Sequence, residues 1–291
     1  MSALLATPSR NSQLDSLRSA LAIRDRAVTS HGGNAGGPTV LVCASGRGGS
    51  GTSMIAALLA LSAAGDGHRT LLIDGDDLIG PHALLLGVTP VVRWPALLGG
   101  GVHASQLAMA IAPTLSLIAG GRSESDASPL TTAERRACFA RLHSLAESYT
   151  LVVIDAGSRL DAMLAAIDTD RVSARLVIVT AGHDPITVAS SYAMLKAAHT
   201  RRPHIDADVL CNRLPDAMAT RLADTLAHGA EQFLARPLAF AGAIPHDTAL
   251  DAALRAGMPF LDAVTGSPVA VAAHDTVLRM MPVVSTSRSG A

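Results

Sequence analysis

The chain has 291 residues, a formal net charge of −1, and 49% hydrophobic but only 2% aromatic residues. That length can bury a large core, as one big domain or two small ones. The near-neutral charge provides no whole-chain attraction to nucleic acid. No apolar run is long enough to span a bilayer and no signal-type segment opens the chain, so a cytoplasmic protein with no integral membrane segment is expected.

Taken in order, residues 1–38 read as an N-terminal arm. Within it "SQLDSLR" (12–18) opens a helix: Ser12 can cap it, and Asp15 sits three residues on, as a capping box wants. Leu14, Leu17 and Leu21 then recur on one face. "HGGNAGGP" (31–38) follows as a flexible, glycine-rich linker. A short amphipathic helix on such a linker suits docking in another protein's groove, and packing on its own body is the alternative.

Residues 39–281 form the body. Its apolar runs are "TVLVCA" (39–44), "TLLID" (70–74), "LSLIAG" (115–120), "LVVIDAG" (151–157), "RLVIVTAG" (175–182), "ADVLCN" (207–212) and "LAFAGAIP" (238–245). Each is apolar on both faces, the mark of strands covered by helices on both sides. Helical patterns alternate with them, which predicts a doubly wound, mostly parallel α/β sheet. Cys43 and Cys211 end apolar runs and read as buried reduced thiols, and Cys and His show no metal-ligand spacing. Trp94, in a loop, reads as a cover for the core. Residues 268–281 are apolar round most of a helix with only Arg279 basic, a core helix that lends no support to membrane contact. Residues 282–291 form a small, polar tail.

Ligands of such sheets bind beyond the carboxyl ends of the strands. After the first strand comes "GRGGSGTS", then a helical run. Glycines there let the backbone approach a phosphate, and successive N–H groups with a helix N-terminus make an anion site. The P-loop pattern G-x-x-x-x-G-K-[ST] is met by Gly46, Gly51 and Ser53, but Thr52 stands at the lysine position. Asp74, Asp76 and Asp77 follow the second strand and Asp155 ends the fourth, the position where NTPases of this kind hold Mg²⁺. Asn212 and Arg213 follow the sixth strand, and Pro245 and Asp247 the seventh.

At these residues the sequence resembles the MinD/ParA family of P-loop ATPases with a deviant Walker A loop, K-G-G-x-G-K-[ST]. Arg47 stands where the family has its signature lysine. The resemblance spans about residues 39–281 and implies a P-loop NTPase fold that binds ATP and Mg²⁺ as a nucleotide-linked homodimer. It implies a cradle of Gly46, Arg47, Gly48, Gly49, Ser50, Gly51, Thr52 and Ser53, and a metal set of Ser53, Asp76 and Asp155. It further implies catalytic roles for Asp76 and Arg47, and an adenine pocket near Asn212, Arg213, Pro245 and Asp247. Within the family the FlhG (FleN, YlxH) branch is similar in "ITVASSYAMLKA" (186–197) and in the last third of the body. FlhG proteins regulate flagellar number and placement, and an N-terminal D-Q-A-x-x-L-R motif engages the GTPase FlhF. Gln13, Leu17 and Arg18 keep that spacing, while Ser12 and Leu14 depart from it. Gln13, Leu14, Leu17 and Arg18 are therefore the expected contacts to an FlhF-like GTPase.

The missing lysine weakens the ATPase expectation. Losing a charge-assisted hydrogen bond costs about 1.5–3 kcal/mol, and more in the transition state, so hydrolysis is expected to be slow at most. Lys196 is the sole lysine of the chain. A general exchange of Lys for Arg accounts for Arg47 but not for Thr52. Two alternatives stand beside the FlhG reading: a pseudo-ATPase scaffold acting through protein contacts alone, and a BcsQ-like or CpaE-like assembly factor for cellulose or pili.

Overall fold

A computed structural model describes residues 37–122, 128–167 and 174–281. Eight strands form one sheet in the order β3-β4-β2-β5-β1-β6-β7-β8. They are β1 (Thr39–Ala44), β2 (Thr70–Asp74), β3 (Ala108–Ala112), β4 (Leu115–Ile118), β5 (Leu151–Gly157), β6 (Ala174–Thr180), β7 (Asp206–Asn212) and β8 (Ala239–Ile244). All pairings are parallel except β3 with β4. The seven expected strands are present, and β3 is an addition. "AMAIA" is three-fifths alanine, a poor strand former, so its strand character comes from pairing with β4 rather than from its own composition.

The helices are α1 (Thr52–Gly65), α2 (Pro81–Leu85), α3 (Thr132–Ala146), α4 (Leu160–Ile167), α5 (Pro185–Arg201), α6 (Asp216–Leu234), α7 (Thr248–Arg255), α8 (Phe260–Val264) and α9 (Pro268–Met280). Strand residues alternate between two cores. Val40, Val42, Leu71, Ile73, Val152 and Ile154 meet α3 to α6 on one face. Leu41, Cys43, Leu72, Val153 and Val177 meet α1, α8 and α9 on the other. Both faces of the sheet are thus covered, which is why the strands carry no polar alternation. The helix α9 buries Val269, Ala273, Thr276, Val277 and Met280, in keeping with a core helix. Cys43, Cys138 and Cys211 are all free and buried.

Trp94 is fully buried in a short 3₁₀ segment, Trp94–Gly99. Its indole N–H donates to the Asp74 carbonyl at 2.7 Å, and its ring lies 5.4 Å from that of Phe139. The side chain therefore does more than cover the core: it pins the carboxyl end of β2, from which the acidic loop departs.

Among the described residues no helix is long and apolar enough to cross a membrane. The arm residues Gln13, Leu14, Leu17 and Arg18 lie outside the described residues.

Candidate functional site

The central strand β1 delivers residues 45–51 to the carboxyl edge of the sheet, beside the loops after β5 and β2. A cleft of about 360 Å³ opens there, lined by Gly48, Gly49, Gly51, Thr52 and Ser53 from the first loop. Gly75 and Asp76 line it from the second loop, and Asp155, Ser158 and Arg159 from the third.

The loop is held from behind. Ser45 and Ser50 hydroxyls both donate to the Arg47 carbonyl, at 3.0 and 2.9 Å. Asn212 Nδ2 donates to the Ser50 carbonyl at 2.9 Å. Gly46 packs so tightly on α5 that a Cβ would lie 2.2 Å from the Ser190 carbonyl carbon. Gly51 has a φ of 82° and is the N-cap of α1, where it offers no side-chain acceptor. The first α1 hydrogen bond runs from the Ile55 N–H to the Gly51 carbonyl, so the Thr52, Ser53 and Met54 N–H groups stand ahead of the intrahelical ladder. By contrast α3, α5, α7 and α9 are each capped by a side chain, from Thr131, Asp184, Asp247 and Ser267. An uncapped N-terminus on a cleft whose glycine Cβ positions 48 and 49 are clear of backbone fits a phosphate group.

Behind the cleft lies a buried charge cluster. Asp74 and Asp155 are register partners on β2 and β5. His82, at the start of α2, places Nε2 3.0 Å from Asp155 Oδ2, while its backbone N–H donates to Asp74 Oδ2 at 3.0 Å. Burial pushes the Asp74 carboxyl up to about 6, against the pull of His82. Burial alone would depress His82, but its bond to Asp155 and the charges of both acids outweigh this and raise its pKa. Burial likewise opposes ionisation of Asp155, yet the His82 bond and charge, the Ser53 hydroxyl and the Gly157 N–H hold it below the usual carboxylate range. The cluster is thus two acids joined through His82, by its ring to Asp155 and by its backbone N–H to Asp74. Sequence reasoning missed His82, which lies eight residues beyond Asp74 in a helix too short to show a periodic signal.

Ser53 and Asp155 are in contact and Asp76 lines the same cleft, so the three proposed metal ligands come together at one site. Their oxygen donors suit Mg²⁺. Asp76 Oδ1 accepts from the N–H groups of Leu78 and Ile79, at 2.8 and 3.1 Å, and so shapes its own turn. Arg47 does not line the cleft. Its guanidinium is half-exposed and lies 3.7 Å from Asp184, the cap of α5.

Of the four residues expected around an adenine, only Asn212 touches the glycine loop. Arg213 pairs with Asp251 at 2.7 Å, and Asp247 caps α7 through Ala249 and Leu250 N–H groups. Pro245 lines a separate cavity with Asp216, Thr220 and Arg279. All four stand at the carboxyl end of β7 or β8, but Arg213, Pro245 and Asp247 are turned to local contacts rather than into the cleft.

The sheet order, the glycine loop after the central strand and the acid on the neighbouring strand define a P-loop NTPase fold of the MinD/ParA type. The chain is similar to the cell division ATPase MinD of Pyrococcus furiosus, with 20% identity, a TM-score of 0.64, and coverage of 83% of this chain and 98% of that one. It is similar to MinD of Pyrococcus horikoshii OT3, complexed with Mg-ADP, with 18% identity, a TM-score of 0.65, and coverage of 83% and 95%. A ParA family ATPase from Chlorobium tepidum TLS shares 20% identity at a TM-score of 0.63, with coverage of 82% and 98%. The family model for the cellulose biosynthesis protein BcsQ matches residues 39–277, and the chain belongs to that family. No curated protein sequence matches it significantly.

Proposed function

We propose that this chain is a nucleotide-responsive accessory protein of cellulose biosynthesis, acting as a MinD/ParA-type switch rather than as an efficient ATPase. The observation that carries this reading is the BcsQ family match across nearly the whole body, 39–277. The uncapped α1 N-terminus and the oxygen set of Ser53, Asp76 and Asp155 support a polyphosphate with Mg²⁺ in the cleft. The bound P. horikoshii MinD supports the same ligand class by its Mg-ADP. The lysine-free loop favours slow turnover, because transition-state charge lacks its usual cation there. A nucleotide-linked homodimer belongs to the same proposal.

Two measurements test it. Calorimetric titration of purified protein with Mg²⁺ and ATPγS or ADP is expected to give saturable binding; absence of both would leave a scaffold without nucleotide. Deletion of the gene in its source organism is expected to lower cellulose output with flagellar number unchanged.

A second reading, an FlhG-like regulator of flagella, is favoured by Gln13, Leu17 and Arg18 at the spacing of the FlhF-engaging motif. It predicts that a peptide of residues 10–24 stimulates an FlhF-like GTPase and that deletion changes flagellar number. An unchanged GTPase rate at saturating peptide removes that reading. A role in pilus assembly of the CpaE kind would instead leave both cellulose and flagella intact.

A further inference from the structure

The cleft holds one cationic side chain among the described residues, and it belongs to neither lysine position of the loop: it is Arg159, two residues past β5. Its neighbour Ser158 places Oγ 3.7 Å from where a Gly48 Cβ would stand, so this loop lies directly against the glycine cradle. The guanidinium is parked on two carboxylates. Nη1 donates to Asp77 Oδ1 at 3.0 Å and Nη2 to Asp161 Oδ2 at 3.0 Å.

Those carboxylates do not depend on it. Arg135, fully buried, donates to Asp77 Oδ1 from Nε at 3.0 Å and from Nη2 at 2.8 Å, and its Nη1 bonds Asp161. Leu130 N–H donates to the other Asp77 oxygen at 2.7 Å. Arg135 alone therefore bridges both acids. Arg159 duplicates it from a position that is 36% exposed, as is Asp161. Partly exposed ion pairs are weak, and water can take over the Asp161 oxygen when Arg159 leaves. A polyphosphate in the cradle would offer a more concentrated negative charge in a less solvated place.

The geometry points to Arg159 as the residue that takes over the charge compensation lost with the lysine at position 52: it leaves Asp77 and Asp161 to bind the terminal phosphate of a nucleoside triphosphate. This rests on the nucleotide reading proposed above. It makes Arg159 a sensor for the third phosphate, because a diphosphate presents less charge toward the loop after β5. It also ties occupancy to packing, since each departure changes the ion pairs that join the loop after β2 to α3 and α4.

The test is calorimetric titration of the full chain with ATPγS and ADP, each with Mg²⁺. The variants are Arg159→Ala, Arg159→Lys, Asp161→Asn and the double variant Thr52→Lys/Arg159→Ala. Arg159→Ala is expected to weaken ATPγS by about ten- to a hundredfold, the worth of a charge-assisted bond, and ADP by clearly less. Arg159→Lys should recover part of the loss, and Thr52→Lys in the alanine background should recover most of it. Asp161→Asn, which removes the charge of one of the two carboxylates that hold Arg159, should leave ATPγS binding unchanged or tighter. A merely structural Arg159 would lower both nucleotides together and lower them again in Asp161→Asn; that pattern overturns the inference. Wild-type affinity for ATPγS retained in Arg159→Ala overturns it while leaving the nucleotide site standing. Wild-type protein that binds neither nucleotide overturns the site itself and the inference with it.

Discussion

Two neighbouring glycines of the loop should fail in opposite ways when given a methyl group. At Gly46 the new Cβ would meet the Ser190 carbonyl carbon at 2.2 Å, its oxygen at 2.3 Å and the Ser191 nitrogen at 2.6 Å. All three are main-chain atoms of α5, so no rotamer change relieves them. Ordinary contact begins near 3.4 Å, and the loop and helix must part by about an ångström. Overpacking of this kind costs about 1–3 kcal/mol, and the rigid backbone places Gly46→Ala at the upper end. In a body of this size about 3 kcal/mol lowers Tm by roughly 6–12 °C. At Gly48 the nearest atom is Ser158 Oγ at 3.7 Å, and φ lies outside the left-handed region. Gly48→Ala should therefore be neutral, or stabilising by about 0.4–1 kcal/mol through the unfolded chain. Its methyl, however, enters the cradle itself, and nucleotide affinity should fall by about tenfold or more. Thermal denaturation and calorimetric titration of both variants separate the effects. Equal Tm values for Gly46→Ala and wild type would refute the packing argument. Full affinity in Gly48→Ala would show that phosphate does not sit on this stretch of backbone.

Further expectations are as direct. Asn212→Ala removes the 2.9 Å bond to the buried Ser50 carbonyl and should cost about 1–3 kcal/mol, read as a lower urea midpoint; an unchanged midpoint counts against Asn212 as the loop's anchor. Thr52→Lys in the otherwise wild-type chain should tighten ATPγS binding by up to about a hundredfold; no gain, with the circular dichroism spectrum intact, would mean that the cleft is not shaped for a P-loop lysine. Burial works to raise the Asp161 carboxyl, but the Arg159 hydrogen bond and the charges of Arg135 and Arg159 hold it below its usual range. Its contribution to stability is therefore present above an unfolded pKa of about 3.9 and is lost as pH falls through the lower folded value. The Tm gap between wild type and Asp161→Asn should accordingly be full at neutral pH and narrow from about pH 4 downward; a gap that widens in acid would contradict the ion pairing.

Much of this was legible because local patterns carry it. Seven apolar runs of β-branched residues and leucine announce buried parallel strands, and the acids at their ends mark the functional edge. The alanines of β3 have no such voice, since only the partner strand makes them a strand. His82 and Arg159 were invisible for a different reason. Each acquires its meaning from carboxylates 73 and 82 residues away in the chain, Asp155 and Asp77, and no short-range spacing records a contact of that span. Arg47 shows the converse: its place in a motif promised a role in the cleft, whereas a charge 3.7 Å off, at Asp184, claims its side chain.

The outermost strands bear on whether another chain can extend the sheet. Among the described residues the eight-stranded sheet has two border strands, β3 and β8, and an unpaired border invites another chain to extend it. Here the ladder that attaches each border strand is irregular, between Ala110 and Ala112 on one side and between Val209 and Leu210 on the other. On β8, Arg279 of α9 donates to the Ala241 carbonyl at 3.2 Å, and a Cβ at Gly242 beside it would crowd the Arg279 and Thr276 side chains at 2.9 Å. Kinked, short and partly covered borders are poor templates for adding strands. Ribbon-like growth of the sheet through these borders is thereby disfavoured.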